Sequence, residues 1–537
     1  MSNKPVVILP EDVQRMMGRD AQRNNLFAAK LVADIVKTTL GPKGMDKMLV
    51  SPSGDIIITN DGVTILEEMQ IEHPAAKMMV EISKTQENEV GDGTTTAVMI
   101  AGKLLENAEI LLDKKIHATV ITKGYRLAAE KAKEVLENLA IRINPDNEQM
   151  LIQIATTSMT GKGAEDMKEH FASIIVKAVK QIQDSSGKID IDNIKIEKIK
   201  GEGMRQTELV SGIVLDKEKV SIEMPSKIED AKIALMDIPL EVKGLERETR
   251  ISITSPEQFQ SFIDQEERML RNLVSKIKAS GANVVFCQKG IDDVAQYLFA
   301  KEGIYACRRV PKSDLEKLAK ATGGKIVSNL NELSPSDLGK AKLVEELKQG
   351  DQTMTYVRGC TNPKAVTILI HGSSSHVIDE IERAIKDGLG DVSSALKSGK
   401  IVAGGGAVEI ELARKLREFG QSLSGREQLA VEEFASALEF IPTTLAENAG
   451  LDPIDILTEL KSRHESGEKN AGLNLFTNSI EDAIEAGIIE PLKIKLQAID
   501  SATEVAIMIL RIDDVIASGG SSNSSPRMPS NLNDYDE

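Results

Sequence analysis

Apolar positions recur at the three-to-four-residue spacing of buried helices through the first and last thirds of the chain. The middle third carries short, continuous or alternating β-like runs instead. Residues 11 to 38 predict a helix with Leu26, Ala29, Leu31, Ile35 and Val36 on its apolar side, stopped by Leu40-Gly41-Pro42-Lys43-Gly44. A short strand follows at Asp55-Ile56-Ile57-Ile58-Thr59, then the turn Asn60-Asp61-Gly62 and a helix through Ile65, Leu66 and Met69. After Gly91-Asp92-Gly93-Thr94-Thr95-Thr96 the residues Val98, Ala101, Leu104, Leu105, Ala108, Leu111 and Leu112 keep helical spacing. The helical pattern then holds from Asn107 to Ala140 and breaks at Pro145-Asp146. Residues 149 to 183 are helical again, interrupted by Thr156-Thr157-Ser158-Met159-Thr160-Gly161-Lys162-Gly163.

From Lys188 to Pro239 the runs are short and β-like. Strands over 282–287, 303–307 and 325–327 alternate with helices over 290–301 and 313–322, which describes an α/β unit. Ahead of it, residues 243 to 280 carry Phe259, Phe262, Ile263, Met269, Leu270, Leu273, Val274 and Ile277 on one helical face. Val366 to Ile370 predicts a strand, and 376–387 a helix ending near Asp387-Gly388-Leu389-Gly390. Gly404-Gly405-Gly406 leads into another helix, 427–459 is helical around Ile441-Pro442, and 497–512 forms the last helix.

The 537 residues suffice for two to four domains with substantial cores. Their 66 basic and 83 acidic residues leave a net charge of −17, which excludes a broad basic footprint for nucleic acid. Cys287, Cys307 and Cys360 have no metal-like spacing and fit reduced thiols. His371 and His376 flank a strand-to-helix corner without the Cys or carboxylate that zinc requires. Val6 to Leu9 is too short for a signal peptide, and no run reaches membrane length, so a cytoplasmic protein with no membrane partner is expected.

The candidate chemistry is phosphate binding. Gly91 and Gly93 allow close approach of the main chain to an anion, and Thr94 to Thr96 occupy a helix first turn whose N–H groups lack intrahelical partners. Asp92 has the wrong charge for phosphate unless Mg²⁺ bridges the two. A Thr-rich helix start after a glycine turn reads equally well as ordinary capping. Asn60-Asp61-Gly62 and Gly161-Lys162-Gly163 likewise read as structural turns, and Asp387 as a solvent-exposed acid at a helix end. Six Gly-Lys pairs occur and none is followed by Ser or Thr, so no P-loop is present.

Taken together, Leu40-Gly41-Pro42-Lys43-Gly44-Met45-Asp46-Lys47-Met48, Asn60-Asp61-Gly62 and Gly91-Asp92-Gly93-Thr94-Thr95-Thr96 resemble the nucleotide-loop motifs of chaperonins, in the group II wording of the archaeal thermosome and its eukaryotic cytosolic relatives. The resemblance covers nearly the whole chain and fails in the tail. It implies a multidomain fold: a mainly α-helical, discontinuous equatorial ATP-binding domain (1–144 and 404–516), a small α/β intermediate domain (145–214 and 366–403), and an α/β apical domain (215–365). A helical lid protrusion is implied near 243–280, and 517–537 is expected to be a disordered tail. It implies ATP and Mg²⁺ as cofactors, with Asp92 as metal ligand and Leu40, Gly41, Pro42, Gly91, Gly93, Thr94, Thr95 and Thr96 around the phosphates. Lys162 is implied to sense the γ-phosphate, Gly405, Asn474 and Glu490 to hold base and ribose, and Asp61 and Asp387 to act in catalysis.

The implied function is a chaperone ATPase that encloses unfolded polypeptides in stacked rings of chaperonin subunits. Two alternatives stand beside it: a structural subunit of a mixed ring with weak ATPase, and a soluble ATP-dependent metabolic enzyme. Gly388 and Gly390 depart from the better helix formers of many relatives, which questions the rigidity of the chain at Asp387.

Overall fold

The computed structural model describes residues 13–518, apart from 164, 185, 202, 242–255 and 351. The two ends of this span meet: Val13–Met17 pairs antiparallel with Asp514–Ser518, Val13 opposite Ser518 and Met17 opposite Asp514. The helix expected from residue 11 therefore starts only at Arg19. Pairing with a distant strand decides the conformation here against local helical spacing.

One core joins the first and last thirds of the chain. The Arg19–Lys37, Pro74–Val90, Thr94–Asp113 and Ala118–Leu139 helices pack with Ala407–Gln421, Glu427–Leu438 and Leu492–Leu510. Thr94–Asp113 lies at the centre, with Ala97 to Ala101, Leu104, Leu105 and Ala108 all buried, as a helix apolar nearly all round must be. The helical run expected over 107–140 breaks at Lys114, where Lys115 takes φ 60° and His117 caps the next helix. The span expected as helical over 427–459 is three helices, Glu427–Leu438, Phe440–Asn448 and Pro453–Glu465. Pro442 sits in the first turn of the second, where its missing N–H costs little.

A second core joins the Glu148–Met159, Lys168–Ile182 and Ser375–Ser398 helices to a three-stranded sheet. In that sheet Val366–Gly372 runs parallel to Ile194–Lys200 and antiparallel to Glu208–Val210. Ser375–Ser398 corrects an expectation, since it does not end near Gly388-Leu389-Gly390 but continues for two more turns. Glycine is tolerated there because the helix passes so near the Asp92 loop that a Cβ on Gly390 would lie 3.0 Å from Gly91 Cα and from Val90 O. Close backbone approach outweighs the roughly 1 kcal/mol helix penalty of glycine.

The third body is a sheet in the order Tyr305–Cys307, Val284–Cys287, Lys227–Met236, Gly339–Gln349, Gln352–Arg358, Gly212–Leu215, with Ile326–Val327 also paired to Lys227–Met236. The Pro256–Ala279 helix seats Leu270, Val274 and Ile277 against it. Residues 243–255 of the expected protrusion lie outside the described residues, as do 519–537 of the expected tail. All three cysteines are buried and unbridged. Among the described residues no helix is long and apolar enough to cross a membrane.

Candidate functional site

A cavity of about 240 Å³ opens where the first core meets the second. The three N-terminal segments reach it as turns between packed helices. Leu40, Gly41 and Pro42 line it after the Arg19–Lys37 helix, their turn tied down by Asn448 Nδ2, which donates to Leu40 O (2.9 Å). Asp61, also in the wall, caps the Gly62–Glu68 helix, its Oδ2 accepting from Thr64 N (2.9 Å) and Thr64 Oγ1 (2.6 Å). Capping holds the carboxylate in one orientation. Asp92, Gly93, Thr94, Thr95 and Thr96 follow, with Gly93 at φ 80° starting the central helix. Gln86 Nε2 donates to Asp92 O (2.9 Å) and Ile494 O (3.3 Å), joining this loop to the last helix of the chain.

The second body contributes Thr157, Ser158, Thr160, Gly161 and Lys162, and Asn60 Nδ2 donates across the boundary to Gly161 O (3.1 Å). From the C-terminal segments come Gly405, Asn474 and Glu490. Glu490 is placed by the Ile489–Pro491 strand, where it lies opposite Val402. Its Oε2 pairs with Lys495 Nζ (2.7 Å), which also binds Glu409 Oε1 (2.8 Å). Asn474 spends both ends of its amide within its own hairpin, donating to Glu481 Oε1 and accepting from Phe476 N.

Two of the expected residues do not line this cavity. Gly91 lies behind the wall as the left-handed cap of Pro74–Val90, packed on Gly390. Asp387 lines an adjoining crevice with Asp61, Glu87, Arg383 and Lys386. It is 7% exposed, which overturns the reading of it as a solvent-exposed helix-end acid. Its Oδ2 accepts from Lys162 Nζ, whose other acidic neighbour is Asp92 Oδ1 at 4.0 Å.

Across the cavity and the adjoining crevice, Asp61, Glu87, Asp92, Asp387 and Asp391 gather near the ammonium of Lys162, with Lys386 also acting on Glu87. Burial opposes charge on Lys162, but Asp387 and Asp92 more than restore it and hold the lysine protonated. Lys162 does not offset the burial of Asp387 and Asp391. Burial pushes Asp387 up, with Lys162 working against it, and burial together with Asp92 pushes Asp391 up. Burial first, then Asp61 and Asp92, raise Glu87 to about 7. Among the described residues no three His, Cys, Asp or Glu side chains form a ready metal cage. Such an under-compensated acidic pocket with few direct ligands fits Mg²⁺, which keeps most of its water and arrives with phosphate.

Sequence reasoning missed Asp391 and Lys495, which both line the cavity, and the apolar wall of Ile441, Leu445, Leu473, Leu475 and Phe476. Lys495 shares its helix with Lys493, Asp500 and Glu504, so nothing in the sequence alone set it apart.

Comparison with known proteins decides the family. The profile of the TCP-1/cpn60 chaperonin family matches residues 32–519. The chain belongs to this chaperonin family. The thermosome subunit of Methanopyrus kandleri is 59% identical over 517 residues, spanning 96% of this chain and 95% of the relative. The thermosome subunit beta of Archaeoglobus fulgidus is 58% identical, spanning 98% of this chain and 99% of the relative. Among solved structures, an open-state monomer of a group II chaperonin from Methanococcoides burtonii matches with 50% identity and a TM-score of 0.58, covering 79% of this chain and all of that one. The three bodies are accordingly the equatorial, intermediate and apical parts of a group II chaperonin.

Proposed function

We propose that this chaperonin subunit binds ATP with Mg²⁺ in the cavity, hydrolyses it, and uses the cycle to enclose unfolded polypeptides in a double ring of such subunits under a built-in lid. The observation that carries the reading is the meeting of segments more than 400 residues apart around one acidic, partly apolar cavity, with Lys162 reaching in from the intermediate part. The domain limits we assign are 1–144 with 404–516, 145–211 with 366–403, and 212–365, the boundary expected after residue 214 moving to 211 because Gly212–Leu215 pairs with Gln352–Arg358 in the third sheet.

In this reading the first-turn N–H groups of Thr94 to Thr96 and the turn at Gly41 receive phosphate oxygens. The apolar wall takes the base, and Glu490 with Lys495 meets the ribose. Mg²⁺, held by Asp92, supplies charge neutralisation on the phosphates. Asp61 and Asp387 hold the attacking water in line, their contribution being chiefly orientation. The Lys162–Asp387 pair occupies Asp387 in the present arrangement. A γ-phosphate near Lys162 draws the ammonium toward itself and frees an Asp387 oxygen to accept from water. Hydrolysis thereby depends on the intermediate part being docked, since Lys162 and Asp387 both belong to it.

Asp387→Ala tests the assignment. Nucleotide affinity by calorimetry is expected to stay within a few-fold, while phosphate release falls by about 10²–10⁴. Unchanged phosphate release in that variant removes Asp387 from the mechanism.

A further inference from the structure

Asp391 follows Asp387 by one turn of the Ser375–Ser398 helix and lines the cavity that Asp387 itself does not. It is 3% exposed, and its Oδ1 has no hydrogen-bond partner. An unsatisfied buried carboxylate oxygen is costly, more so than a neutral acceptor, and native structures keep one chiefly where something else completes it. Lys162 does not complete it, because that ammonium is engaged by Asp387 with Asp92 next. Asp92 is the foremost of the charged neighbours acting on Asp391. The two acids thus look at the same space from two parts of the molecule, at the point where Gly91 and Gly390 bring the backbones nearly into contact.

We infer that Asp391 is a second carboxylate of the magnesium site, accepting hydrogen bonds from metal-bound water while Asp92 binds the ion directly. This rests on the reading of the cavity as a Mg²⁺-nucleotide site. The absence of a three-carboxylate cage among the described residues is what such a division of labour requires. A Mg²⁺ ion with one or two carboxylates and phosphate oxygens keeps several waters, each with protons to place, and Asp391 Oδ1 is the open acceptor beside them. The ion is then gripped from the equatorial side by Asp92 and, through its water, by the helix that belongs to the intermediate part. Asp391 is a positioning residue in this scheme. It orients the hydrated ion and does not touch the phosphate that is cleaved.

The test uses the full-length protein and ADP, so that no turnover intervenes. Mg²⁺ is titrated by calorimetry at saturating ADP, and ADP affinity is measured separately in EDTA. Asp391→Asn, equal in size, and Asp391→Val, which fills the space without an acceptor, are compared with wild type after thermal melts establish folding. The expected result is a 10–100-fold rise in the Mg²⁺ concentration at half-saturation, with ADP affinity in EDTA unchanged or tighter. A shift below two-fold in both variants overturns the inference. Equal weakening with and without metal also overturns it, because it marks a packing role. Failure of the wild-type protein to bind ADP under either condition removes the nucleotide reading itself, and the inference with it.

Discussion

Gly388 and Gly390 lie two residues apart on one helix but face different neighbours, and that difference decides what an added methyl does. A Cβ on Gly388 would come 2.7 Å from Ile175 Cδ1, the tip of a side chain that can turn away, and 3.5 Å from Ser158 Oγ. On Gly390 it would meet only backbone, at 3.0 Å. Alanine gains about 1 kcal/mol of helix propensity at either position, whereas overpacking against atoms that cannot move costs about 1–3 kcal/mol. Gly388→Ala is therefore expected to leave the thermal midpoint unchanged or higher, and Gly390→Ala to lower it, as scanning calorimetry would show. A matched loss in both variants contradicts the packing argument. Asp61, Asp92 and Lys162 stand in glycine- and threonine-rich turns that the sequence marks, but the turns at Asp61 and Lys162 read equally as structural and only the family resemblance singled those residues out. Asp391 was not legible, since an acid within a helical pattern reads as a surface residue until a second body is seen to cover it.

The Thr94–Asp113 helix was legible because it is apolar nearly all round, whichever elements cover it. The Lys47–Val50 strand was missed, lacking the unbroken β-branched run that marks Ile56–Thr59, and so was the Pro74–Val90 helix, whose buried face includes Ser83 and Gln86. That strand forms a hairpin with Ile56–Thr59 in which Met48 lies opposite Ile58 and Val50 opposite Ile56. Cross-strand partners share a face, so these four exposed side chains form one apolar patch. Such a patch on a two-stranded ribbon, with free strand edges, suits contact with another subunit. Val50→Lys combined with Ile56→Lys is expected to leave the circular dichroism spectrum and monomer melting intact while native mass spectrometry shows loss of the ring. Rings persisting at full occupancy in that variant would place the subunit contact elsewhere.

On the scale of the whole molecule, three bodies built from a nested chain could not be read from spacing. Periodicity reports which face of an element is buried but not which distant element covers it, and only the family resemblance joined residues 41, 92, 405 and 490. The same nesting brings acids of two bodies into one crevice, where Glu87 of the equatorial part faces Asp387, Lys386 and Arg383. Burial raises Glu87 from 4.5 to about 7, so the folded protein holds a proton there that the unfolded chain gives up earlier. The associated stability is complete below about pH 4.5 and is lost as pH rises through 7. Glu87→Gln, permanently neutral, is expected to melt like wild type at pH 5 and above it at pH 8, the difference growing between those limits. An equal offset at both pH values would show that Glu87 is not the titrating group.

The ribbon that joins Val13–Met17 to Asp514–Ser518 carries a consequence for synthesis. Helices made first must wait for partners made last, roughly 20–80 s later at about 5–20 residues per second on the ribosome. Throughout that interval the apolar faces around Val98 and Leu104 have no C-terminal cover, while the apical body already holds its whole core. A newborn subunit is thus an unfinished polypeptide of the kind its mature assembly shelters, and its seam closes only when Asp514–Ser518 emerges.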